Sequence, residues 1–291
     1  MSNSAVAMIY GIVGSVLFNL SKGMQRQGID ALSFIFPRRG KRRAAENRPG
    51  SGKNVALYAT GFVLNNSLGF FAILANRYGL SSYYTSMFGF GIIALMLYSG
   101  IILREPIHPL QYAGAIVLTL GTLILGYDGI MRPKMTMAGI SLPAAGIVIA
   151  ASFLVGSLLL LYARGKRGLV VLGVVYGLLI GFAAGLDPVL KGIGQNLGGG
   201  ERYLPRLPLG WFIFLSSFLF ATLSFAASQW AFSRGIRASV LIPSQNFAYI
   251  LYPIIFQAVS LPGFRLTRFT ALGLFVTTLG IIIMQTMVKR R

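Results

Sequence analysis

The segment GLDPVLKG sets an aspartate and a lysine, Asp187 and Lys191, four residues apart at the end of a long apolar run. On a helix such a pair shares one face and can neutralise itself. A charge at membrane depth is also a functional group by default, because lipid makes it costly to keep. Both readings, a paired structural charge and a transport residue, stay open here. The other acids stand elsewhere: Asp30, Glu46 and Glu201 fall in polar stretches and read as solvated, while Glu105 and Asp128 fall at helix ends. Glu105, between Arg104 and Pro106, reads as an end-cap. Uncharged polar residues supply the rest of a candidate solute-binding wall. Asn65 and Asn66 lie inside an apolar run, and PSQNFAYILYP (243–253) puts Asn246 and Tyr249 three apart behind a proline. That proline frees a carbonyl, which in lipid must face protein or a wet cavity. With Asn19 in VLFNLSKG, the substrate-binding candidates are Asn19, Asn65, Asp187, Lys191, Asn246 and Tyr249.

Several chemistries drop out. The chain has no cysteine and one histidine, His108, so thiolate metal sites, disulfides and Ser-His or Cys-His catalysis are excluded, and neither an enzyme nor a cofactor is expected. RPGSGKN (48–54) imitates a phosphate-binding loop, but Asn47 stands where the first glycine is needed and Asn54 where Ser or Thr is needed. Should magnesium be the solute, Asp187 is the one embedded carboxylate on offer.

These residues must be positioned by helices in a bilayer. Of 291 residues 55% are hydrophobic and only 11% charged, with a mean hydropathy of +0.71, the profile of an integral membrane protein. Nine apolar segments are long enough to span: about 4–22, 54–76, 81–103, 107–128, 139–163, 168–190, 209–232, 237–260 and 267–288. The first lacks a basic leader and a cleavage site, so it reads as a retained helix. The net charge of +20 comes from 26 Lys and Arg against six acids. The basic residues cluster between apolar segments, which suits orientation in a membrane better than nucleic acid. Most of them, including Lys22 through Lys53, fall on one side. That asymmetry predicts an outside N-terminus, a cytoplasmic 23–53 loop and a cytoplasmic C-terminus in the cell or inner membrane. The loop could also bind anionic lipid headgroups.

The chain also repeats itself. IYGIVGSVLFNLSKG (9–23) is answered by VYGLLIGFAAGLDPVLKG (175–192), SLGFFAILANR (67–77) by SFAASQWAFSR (224–234), and GAIVLTLG (114–121) by GLFVTTLG (273–280). Three matches in one order predict two four-helix units, 1–128 and 167–291, joined by a linking helix within 129–166. A single odd helix between two four-span units makes the repeats inverted, a layout suited to alternating access. Gly11 and Gly14 read as close-packing positions on the first helix.

A four-helix unit with GSVLFNLSKG closing its first helix and G-x-x-x-x-T-L-G in its fourth resembles the small multidrug resistance transporters. The nine-helix layout resembles the drug/metabolite transporter superfamily, EamA-like, and LYARGKRGLVVLGVVYGLLIGFAAGLDPVLKGIG (161–194) is similar to a stretch of NIPA-like magnesium transporters. The resemblance implies an all-α, alternating-access carrier of a small polar solute or organic cation, with magnesium as the alternative and a homodimer left open. Gly11 and Leu178 stand where the small multidrug transporters place their embedded glutamate, so the resemblance does not extend to their proton-coupled exchange. The rival from another class is a membrane scaffold or lipid-binding protein working through loop 23–53.

Overall fold

The computed structural model describes residues 3–29, 51–164, 168–200 and 202–286. Among these, nine helices are long and apolar enough to cross a membrane, and no strand is present. They are α1 (Asn3–Gln27), α2 (Ser51–Tyr78), α3 (Ser81–Ile101), α4 (Pro109–Met131), α5 (Leu142–Arg164), α6 (Leu169–Asn196), α7 (Pro208–Ser233), α8 (Ala238–Ser260) and α9 (Arg268–Thr286). Large apolar side chains face outward along the bundle, among them Phe153, Leu154 and Leu158 on α5, Phe212 and Leu219 on α7, and Phe275 on α9. In water that surface would drive association; in lipid it is the ordinary exterior of a multi-pass protein.

Helix ends depart from the expected limits where polar residues are buried. Polarity marks α1 as ending at Lys22, yet the helix runs on to Gln27 because Ser21, Lys22 and Gln25 pack inside the protein. Likewise α6 continues to Asn196, so 191–196 is helix and not the start of a loop. Residues 23–27 and 51–53 of the expected 23–53 loop are therefore helical. Residues 30–50, with Asp30, Glu46 and the proposed lipid-binding stretch, lie outside the described residues, as does Glu201.

The third span is not continuous. Met87–Gly89 tighten to a 3₁₀ turn, and the backbone carbonyl of Phe88 accepts the Ser15 hydroxyl at 2.7 Å. The same Ser15 oxygen accepts the Gly91 N–H at 2.7 Å, so one serine of α1 repairs both sides of the break. His108, the sole histidine, caps α4: its Nδ1 accepts the Leu110 N–H and the Gln111 side chain accepts the His108 N–H. Glu105 caps a helix too, but a distant one. Its carboxylate accepts the first N–H groups of α8, from Ala238 and Ser239, at 3.3 Å. At the far end of α4, Asp128 pairs with Arg132 at 2.8 Å and accepts hydroxyls from Thr267 and Thr270, fastening α4 to the start of α9.

Helix α1 packs on α2 and α3, α6 packs on α7 and α8, and α4 packs along α9. Helix α8 is the most enclosed and α5, resting on α6 and α8, the least. Close approach is bought with glycine. A methyl at Gly11 would lie 2.3 Å from the Tyr84 carbonyl oxygen, and one at Gly14 would lie 2.9 Å from the Tyr84 hydroxyl, as expected of packing positions. Along the α4–α9 seam, Gly114 meets Gly280 while Gly121 meets Gly273, so the two helices cross in opposite directions.

Candidate functional site

A cavity of about 260 Å³ opens where α1, α2 and α3 meet α6, α7 and α8. Its apolar wall is aromatic, with Phe18, Phe88, Phe218 and Phe225. Its polar wall holds Lys22, Asn65, Asn66, Asp187, Lys191, Thr222 and Ser224. This is slightly smaller than the usual ligand pocket, which runs from roughly 300 Å³ upward, and so suits a small metabolite.

Asp187 and Lys191 form the i, i+4 salt bridge that the spacing allows, and the Lys191 ammonium also stands 4.2 Å from the centre of the Phe218 ring. Lys191 is fully buried and Asp187 nearly so, its side chain 13% exposed. Their side chains are enclosed by protein, because α2 and α7 pack against α6. Pro188, between them, has no N–H, which leaves the Ala184 carbonyl without its helical donor at a residue of the cavity wall. The Pro188 carbonyl accepts the Asn76 amide at 2.8 Å and the Ser81 hydroxyl at 2.9 Å, anchoring the α2–α3 corner to α6.

Lys22 is the residue that sequence reasoning missed. Charge patterning assigns it to the cytoplasmic loop, yet it is 1% exposed and lines the cavity. Its ammonium stands 3.4 Å from the Ser228 hydroxyl of α7, with the Phe18 and Phe225 ring centres at 5.2 and 5.4 Å. Among the described residues no carboxylate pairs with it. The signal was present in the repeat: FNLSKG (18–23) corresponds to DPVLKG (187–192), with Lys22 matching Lys191 and Phe18 standing where Asp187 stands. One turn further along α1, the Gln229 amide donates to the Gln25 side chain at 2.7 Å, and Gln25 donates to the Gly61 carbonyl at 2.9 Å. These bonds join α1, α2 and α7 beside Lys22.

The other candidates divide. Asn65 and Tyr249 line the cavity, and the Asn65 carbonyl oxygen is buried with no donor among the described residues. Asn19 and Asn246 are not on its wall. They are fully buried and bonded to each other at 2.9 Å, and the Asn19 amide donates back to the Ser15 carbonyl at 2.8 Å. Their place is the three-way contact of α1, α3 and α8 beside the 3₁₀ turn, where they act as glue between helices. The rings of Phe18, Phe88 and Tyr249 pack against one another, with Phe88 and Tyr249 centred 4.3 Å apart.

The cavity thus combines three charged side chains, an orphaned amide oxygen and an aromatic lining, a set that can hold a small charged or polar solute away from lipid. Compared with family models, curated proteins and solved structures, the chain matches none, so the site is read from its own geometry.

Proposed function

We propose that this chain is a multi-pass membrane transporter of the drug/metabolite type that moves a small polar solute by alternating access between two inverted four-helix repeats. The carrying observation is the cavity itself, walled by α1, α2 and α3 from one half and α6, α7 and α8 from the other, with Lys22 and Lys191 buried in it and Asp187 nearly enclosed. Lys22 and Lys191 fall within the last two turns of α1 and α6, yet both ammonium groups turn away from the helix ends and into the protein, where burying a charge is costly unless something compensates it.

The packing supports the repeat reading. Helix α1 stands to α2 and α3 as α6 stands to α7 and α8. The opposed order of Gly114 and Gly121 against Gly280 and Gly273 is what a two-fold axis in the membrane plane generates from GAIVLTLG and GLFVTTLG. For a cation, magnesium included, the described wall offers one carboxylate, Asp187, and Lys191 already holds it.

Flux into proteoliposomes is the test. The purified protein is expected to take up at least one member of a panel of small acids, amines, amino acids and magnesium, and removal of residues 30–50 should spare uptake. Loss of all binding to lipid vesicles on that deletion, with no flux from the intact chain, would replace the transporter with the scaffold reading.

A further inference from the structure

Building on the transporter reading, we infer that the solute is a small organic anion, a carboxylate with a compact apolar body, and that Lys22 holds its acidic group. The charges in the cavity are unequal at its two lysines. At Lys191 the carboxylate of Asp187 stands one turn away and neutralises it; at Lys22 the same position is Phe18. Two ammonium groups and one carboxylate leave the described wall with an excess of one positive charge.

An ammonium taken out of water needs a counter-charge, because its desolvation is repaid by close pairing and not by a single hydroxyl. Ser228 at 3.4 Å and two ring faces beyond 5 Å are weak partners for a side chain 1% exposed. A solute carboxylate reaching the Lys22 ammonium would supply the missing charge and the short charge-assisted hydrogen bonds. The rest of the wall selects the remainder of the molecule. Phe88, Phe218 and Phe225 favour an apolar body over a bare inorganic ion, and the Asn65 carbonyl oxygen, buried without a donor, asks for an O–H or N–H on the same solute. A hydroxy acid meets all three demands. A permanent cation meets only the aromatic demand, since its charge would face Lys22 and could reach Asp187 only by displacing Lys191.

The experiment uses the full chain in detergent and in proteoliposomes, with lactate as the probe and lactamide, phosphate, leucine and tetraethylammonium as contrasts. Lactate is expected to raise the melting temperature of the wild-type protein and to be taken up, and lactamide, which has the same shape without the charge, to do neither. Lys22→Met should weaken lactate binding at least tenfold while leaving the melting temperature of the unliganded protein equal or higher, because it removes an unpaired buried charge. Lys22→Arg should restore part of the binding. Equal response to lactate and lactamide by the wild type overturns the inference without any variant, and so does full lactate binding in Lys22→Met. Uptake of tetraethylammonium or leucine with no response to lactate would leave the transporter standing and remove the anion. Lactate binding lost in Lys22→Met, with no flux of any probe, would leave the anion site standing and remove the transporter.

Discussion

The Asp187–Lys191 pair permits a worked test of what a buried ion pair does in this bundle. Asp187→Asn leaves the Lys191 ammonium without its carboxylate, fully buried, with only the Phe218 ring at 4.2 Å to receive it. Breaking a buried pair by removing one partner costs about 3–5 kcal/mol. The ring recovers about 2 kcal/mol at a desolvated site at best, and that contact already exists in the native pair. Lys191→Met strands the carboxylate instead, at similar cost. Each single change should therefore lower the melting temperature on the order of 10 °C, at roughly 2–4 °C per kcal/mol for a chain of this size class. The double change Asp187→Asn, Lys191→Met strands no charge and should return to within about 1 kcal/mol of wild type, a coupling of roughly 5–10 kcal/mol against two singles of about 3–5 kcal/mol each. Thermal unfolding in detergent, followed by fluorescence, reads the stability, and proteoliposome uptake reads the function. Because the pair lines the cavity, the double variant should regain stability and not flux. Singles that melt within a degree or two of wild type, or a double as unstable as the sum of its parts, would refute the electrostatic reasoning. Recovery of both stability and flux would make the pair a structural clasp and strike Asp187 and Lys191 from the transport residues.

Three further outcomes follow from other contacts. Gly11→Leu should all but abolish the folded yield, since the first added carbon already overlaps the Tyr84 carbonyl, whereas Gly146→Leu, on a lipid-facing stretch with open space, should be tolerated; equal yields in a detergent-solubilised, size-exclusion comparison would refute the packing account. Glu105→Gln removes the charge but keeps an acceptor at the start of α8, so it should cost about 1 kcal/mol, and Glu105→Ala somewhat more; no change in melting temperature for either would end its role as a cap. With no native cysteine to interfere, single cysteines at Asn3 and Gly199 should react with a membrane-impermeant thiol reagent from outside intact cells and one at Ala45 should not; labelling of Ala45→Cys from outside would reverse the orientation that the basic residues imply.

The sequence by itself determined the helices and one side-chain pair. Apolar runs near 20 residues leave only the helix as a way to satisfy the backbone in lipid, so the nine spans were legible whatever they pack against. The four-residue spacing of Asp187 and Lys191 is local geometry on one helix, and it produced the salt bridge directly. Tertiary structure decided which polar groups are wall and which are glue. Asn19 and Asn65 look alike in sequence, each an asparagine inside an apolar segment. One is consumed by Asn246, 227 residues away, and the other faces a cavity formed by helices from both halves. Lys22 shows the same limit most clearly. A lysine near the end of an apolar run reads as a charge reaching for water, and only the arrival of α7, with Ser228 206 residues later in the chain, closes that route and turns a topology signal into a buried cation. Periodicity is written along one helix. The partner that covers or exposes a given face is chosen by packing between helices distant in sequence, and no local pattern encodes it.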